Sequence, residues 1–146
     1  MNNHRDLRTA YIEMMLSIEP NITVMLGAGL GASPITLEQQ ASEFFDRIMR
    51  KAYGRSWSRE PEANWPTAFG FIEHTDTNLH MHIAARVTIP VRDQLFHGSK
   101  IWKKLRKAGD YDCQLVINSK KYSRYITKEF KLRPTNENVF IYKKIK

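Results

Sequence analysis

The residues best suited to chemistry in this 146-residue chain lie between positions 69 and 84, Phe-Gly-Phe-Ile-Glu-His-Thr-Asp-Thr-Asn-Leu-His-Met-His-Ile-Ala. Glu73 offers a carboxylate, and His80 and His82 offer two imidazoles two positions apart. An oxygen and two nitrogens aimed at one point suit a divalent cation that keeps positions open for water and substrate. Carboxylate and water favour Mg²⁺ or Mn²⁺, whereas imidazole also suits Zn²⁺ or Ni²⁺. Tyr125-Ile-Thr-Lys128 is the second candidate. Residues three apart share a helix face, so the Lys128 ammonium can sit near the Tyr125 phenol or beside a phosphate that the phenol attacks. Tyrosine is a poor nucleophile until a base or a positive environment helps it. Each feature also has a bland explanation, half-buried strand histidines in one case and a packed Tyr beside a solvated Lys in the other. Their weight comes from occurring together in a basic chain.

A β-hairpin must position the first set. Two apolar runs flank Thr75-Asp76-Thr77-Asn78, a cluster of turn formers. A symmetric turn there places His74 opposite Leu79, Glu73 opposite His80 and Phe71 opposite His82. Opposed residues share a face and neighbours alternate. Glu73, His80 and His82 then project from one side, and Ile72, Leu79, Met81 and Ile83 from the other. A turn one residue longer or shorter would instead bring His74 beside His80 and His82. The symmetric turn is preferred because it leaves Ile72 facing inward.

The whole chain reads as one domain, residues 1–146. Its 23 Lys and Arg against 15 Asp and Glu give a formal charge of +8, which suits an anionic partner such as nucleic acid. The lone Cys113 excludes an internal disulfide framework and a cysteine zinc cluster. No apolar run reaches membrane-spanning length and the N-terminus lacks a signal pattern, so a cytoplasmic protein without a membrane partner is expected.

In chain order, residues 5–18 form an amphipathic helix that Pro20 stops, and residues 21–26 a buried strand. Thr36 with Gln39 gives a capping box for a helix with Leu37, Ala41, Phe44, Phe45, Ile48, Met49 and Ala52 on one stripe, ended by Gly54. Residues 55–66 read as a connecting loop. After the hairpin, which ends near Pro90, a helix runs from about Ser99 to Ala108. Strand 111–117, a short basic helix 120–131 and a last strand 138–142 follow. The order β-α-β-β-α-β predicts an α+β, ferredoxin-like (split β-α-β) antiparallel sheet with helices on one face. Glu73, His80 and His82 then lie on the face left open.

His80-Met81-His82 resembles the His-hydrophobic-His motif of the HUH endonucleases, the superfamily of rolling-circle replication initiators, relaxases and single-strand transposases. Glu73, seven residues upstream, stands where viral initiators of this group place a third metal ligand. Tyr125-x-x-Lys128 resembles their nucleophile motif, in a single-tyrosine arrangement. The likeness spans residues 69–130 by motif and about 21–130 by element order, with the N-terminal helix and the last strand as additions. It implies a single-stranded DNA nicking and joining endonuclease, with Mg²⁺ or Mn²⁺ on Glu73, His80 and His82 and a 5′-phosphotyrosine intermediate on Tyr125. It further implies an origin or hairpin DNA substrate and a role in rolling-circle replication, mobilisation or transposition, in a microbial cell or, for a viral protein, in host cytoplasm or nucleus. The sequence departs from the family in its first strand, where only Ile22-Thr23-Val24-Met25 stands in for a Thr-rich motif. Tyr122 is a second tyrosine, but only Tyr125 has Lys at the family's offset. No helicase segment follows, so replication would call for a separate helicase as partner.

Two basic stretches suit DNA. Lys100, Lys103, Lys104, Arg106 and Lys107 flank Trp102, and Lys120, Lys121, Arg124 and Lys131 surround the tyrosines. Cationic side chains neutralise phosphates and an exposed aromatic stacks on an unpaired base; alternatively Trp102 is core and the charges are solvated. Gly27-Ala-Gly-Leu-Gly-Ala satisfies a dinucleotide fingerprint, yet Pro34 and Thr36 delay the helix that should open there, so a flexible loop is expected and no organic cofactor. His4 and His97 read as surface residues and Cys113 as a small core residue. The rival from another class is a non-catalytic nucleic-acid-binding module on the same sheet, presenting Phe69 and Phe71 to bases. A metal-dependent hydrolase using water is a third reading.

Overall fold

Alternating apolar residues on five strands build one continuous apolar sheet face, and the helices of this α+β fold are fitted to it. The structure is a computed structural model that describes residues 3–74, 79–118, 120–121 and 139–142. Its strands are β1 (Ile22–Gly27), β2 (Thr67–His74), β3 (Leu79–Arg86), β4 (Tyr111–Leu115) and β5 (Val139–Tyr142). They form one sheet in the order β4-β1-β3-β2-β5 with every neighbouring pair antiparallel. The helices are α1 (Asn3–Ser17), α2 (Pro34–Tyr53), α3 (Ile89–Phe96) and α4 (Ser99–Leu105). The connection at 55–66 contains two short 3₁₀ turns, Trp57–Arg59 and Glu62–Asn64.

Helix α2 begins earlier than the capping box at Thr36 and Gln39 predicts. Ser33 is the cap, its hydroxyl accepting from the Thr36 amide at 3.1 Å, and Pro34 follows it. Proline suits that first position because its nitrogen has no hydrogen to leave unpaired and its φ is already helical. Gly54, at φ 80°, ends the helix as expected. The predicted stripe Leu37, Ala41, Phe44, Phe45, Ile48 and Met49 is fully buried against Ile22, Val24, Leu26, Ile72, Met81 and Ile83 of the sheet. Each large side chain hidden this way contributes roughly 1.5–3 kcal/mol.

Trp102 of α4 belongs to this core rather than to a base-stacking surface. It is wholly buried, edge-on to Phe44 with centroids 5.9 Å apart. Its indole N–H donates to the Gly27 carbonyl at 2.9 Å, which satisfies the polar edge of a buried ring. Helix α4 stops at Leu105, short of the expected Ala108. Helix α3 is absent from the sequence reading, which took Pro90 as an end. Pro90 instead lies in the first turn of α3 and buries Val91 and Leu95 behind it.

The opposite sheet face is not wholly open, contrary to expectation. Met15 of α1 is fully buried in a second cluster with Phe69, Phe71 and Ala84, with Ile18 and Val139 packed at its edge. Phe69 and Phe71 are each 2% exposed, so they are packing residues and not a stacking platform. At the far edge, the Tyr142 hydroxyl donates to Asp46 at 2.6 Å, tying β5 to α2. Burial pushes the Asp46 carboxyl above its ordinary range, with the Tyr142 hydrogen bond acting the other way.

Candidate functional site

The hairpin has the symmetric register. Glu73 pairs with His80, Phe71 with His82 and His74 with Leu79. Ile72, Met81 and Ile83 accordingly enter the helical core, and Glu73, His80 and His82 share the other face. The turn, residues 75–78, lies outside the described residues. His82 Nε2 and Glu73 Oε2 are 3.0 Å apart, the imidazole donating to the carboxylate. Both are partly accessible, at 20% for the His82 side chain and 31% for that of Glu73. Solvent and a substrate can reach the pair, while α1 covers Phe71 one row away.

Strand β1 supplies the floor beside the histidines. Gly27 pairs with His80 and Met25 with His82. The amide of Ala28, the first residue past β1, donates to the Leu79 carbonyl at 2.8 Å, so the loop after β1 starts next to His80. Arg106 holds that loop, donating from Nε to the Ala28 carbonyl at 2.8 Å and from Nη2 to the Leu30 carbonyl at 2.9 Å. Two loop glycines adopt positive φ, Gly29 at 72° and Gly31 at 82°. The Gly-rich stretch is thus a tied connection, and β1 is followed in the sheet by antiparallel neighbours, unlike a dinucleotide crossover.

Tyr125 and Lys128 lie outside the described residues, as do Tyr122, Arg124 and Lys131. Lys120 and Lys121 are helical and exposed, and the Asn118 side chain accepts from the Lys121 amide at 3.1 Å, the cap of a helix start. Lys100, Lys103, Lys104 and Lys107 are exposed. Their helix α4 belongs to the layer across the sheet from Glu73 and His82, although Trp102 ties it to the strand end beside His80. Arg106 spends its guanidinium on the loop carbonyls. His97 is exposed, its Nδ1 at 2.9 Å from the Asp93 carbonyl.

Among the described residues no three His, Cys, Asp or Glu side chains are gathered as a ready-made ion site. The donor set nonetheless has the chemistry of one. Glu73 and His82 already converge on a shared proton, a place that a cation can take, and His80 stands across the strand pair from Glu73 on the same face.

Strand β4 brings residues that the sequence reading left out. Tyr111 and Cys113 face the helices, where the Tyr111 hydroxyl donates to the Leu95 carbonyl and burial raises both groups, the Cys113 thiol to about 11. Asp112 takes the opposite face, paired with Met25. No local signal marks these placements, because they depend on pairing between segments some 85 residues apart.

Comparison with protein-family models, with curated proteins and with solved structures finds no match. Among the described residues no helix is long and apolar enough to cross a membrane.

Proposed function

We propose that the chain is a metal-dependent endonuclease of the HUH type that nicks and rejoins single-stranded DNA. The observation that carries this reading is the Glu73–His82 contact at 3.0 Å, with His80 opposite Glu73 on one solvent-accessible face. The element order supports it too: β1-α2-β2 and β3-α3-α4-β4 read as two split β-α-β units, a ferredoxin-like core with α1 and β5 added. Nothing favours the rival binding module, whose two stacking aromatics are buried.

Glu73, His80 and His82 would hold Mg²⁺ or Mn²⁺. Bound there, the ion would supply Lewis-acid polarisation of the scissile phosphate. The Tyr125 phenol gives up its proton and its oxygen bonds to phosphorus. The bond from phosphorus to the 3′-oxygen breaks, and that oxygen takes up a proton. One DNA end leaves as a free 3′-hydroxyl and the other stays on Tyr125 as a 5′-phosphotyrosine. Lys128 orients the phosphate or offsets its developing charge. Attack of a 3′-hydroxyl on the linkage reverses these steps, so the same residues rejoin strands. Lys120, Lys121 and neighbouring cations neutralise backbone phosphates, which makes affinity fall with salt.

Incubation with single-stranded oligonucleotides of candidate origin or hairpin sequence, with Mn²⁺ or EDTA, tests the reading on a denaturing gel. A slower-migrating covalent species that needs metal and is lost in Tyr125→Phe is the expected result. Binding without an adduct across a broad panel of sequences would overturn it.

A further inference from the structure

The sheet carries a second carboxylate in the same row as Glu73 and His80. Gly27 and Asp110 exchange both backbone hydrogen bonds, at 2.7 Å and 3.2 Å. They are therefore a directly opposed antiparallel pair whose side-chain positions share a face. Gly27 is in turn paired with His80, and His80 with Glu73. Glu73, His80, Gly27 and Asp110 thus form one row across four neighbouring strand positions.

The bare position in that row joins its neighbours. A Cβ on Gly27 would lie 3.0 Å from the Asp110 Cβ and 3.1 Å from His80 Cδ2. The imidazole edge bearing Nε2 and the root of the carboxylate therefore flank the same small space, which any larger residue would fill. Turn geometry does not require glycine here, since Gly27 lacks the positive φ seen at Gly29 and Gly31. Asp110 is exposed, and neither its carboxylate nor the His80 ring has a hydrogen bond or ion pair among the described residues. Both are free to turn toward a shared ligand.

We infer that Asp110 supplies a fourth donor to the divalent cation, reaching it past Gly27 from the side opposite Glu73. This rests on the metal site proposed above. Two carboxylates and two neutral imidazoles balance the charge of a divalent ion, and the second oxygen tilts preference toward Mg²⁺ and Mn²⁺. Asp112, one row away beside Met25, carries the same charge and donates nothing.

Calorimetric titration of Mn²⁺ into the full chain, without DNA, tests this. Asp110→Asn should weaken binding about tenfold or more, at least the loss that follows removal of a group hydrogen-bonded to a metal ligand. Gly27→Ala should weaken it too, by wedging His80 and Asp110 apart. Asp112→Asn should change affinity less than about threefold, the effect of a screened charge. Wild-type affinity in Asp110→Asn, or equal losses in the Asp110 and Asp112 variants, would overturn the inference. If His82→Gln abolishes binding while Asp110→Asn does not, this inference alone fails. If the wild-type chain takes up no Mn²⁺, the metal site fails with it.

Discussion

The two faces of the sheet are made from alternate residues of the same strands, yet they are built to different rules. Toward α2, α3 and α4 every position is apolar and closed: Val24, Leu26, Met81 and Ile83 meet Phe44, Phe45 and Trp102 with nothing exposed. Toward α1 the face is divided. Met15 seals Phe69, Phe71 and Ala84, and beyond that cover Glu73 and His82 remain in reach of solvent. One face holds the fold together, and the other uses a small apolar cluster to frame polar groups that do not need to be buried. Stability and proposed chemistry are therefore separable by mutation.

The largest separation is expected at Phe44. Phe44→Ala should cost about 3–5 kcal/mol in chemical denaturation, because its ring packs against Phe45, Trp102 and Tyr111 and the layer cannot collapse into the gap. Met15→Ala should cost about 2–3 kcal/mol. Its signature is local, with proteolytic cleavage appearing in α1 before the rest of the chain unfolds. A loss as large as that of Phe44→Ala would mean that the two clusters are one core.

Glu73→Gln should move stability by less than about 1 kcal/mol, since the pair is partly exposed. The same change should weaken Mn²⁺ binding sharply in a titration. An unfolding penalty as large as a core substitution would instead make the Glu73–His82 pair structural.

The smallest effect concerns Cys113 on the closed face. Burial lifts its thiol from 9.0 to about 11, so the neutral form is favoured in the fold. Alkylation at pH 8 should be slow until denaturant is added. A raised folded value means that this contribution to stability is complete below pH 9 and is lost as pH rises through about 11. Rapid labelling of the native chain at pH 8 would contradict that packing.

What could be read from the sequence follows the range of the interactions. The hairpin register was legible because Thr75 to Asn78 is a compact turn signal and Ile72 must face inward. The α2 stripe was legible from its 3.6-residue spacing, and the core role of Trp102 was one of two readings that spacing left open. Helix α3 was not, because Pro90 can end one element or begin the next. The seat of α1 was hidden as well: an amphipathic stripe shows that a helix packs, not which sheet face receives Met15. Asp110 was hardest, since its place beside His80 depends on β1 pairing with both β3 and β4.

The central claim is that Glu73, His80 and His82 serve a strand-transfer reaction and not the fold. The most direct test is covalent adduct formation on single-stranded DNA by a His80→Gln, His82→Gln double variant whose unfolding midpoint equals that of the wild-type chain. The account expects no adduct from that variant in Mn²⁺, beside a clear adduct from the wild type on the same oligonucleotide. An adduct at wild-type yield from the double variant would contradict it.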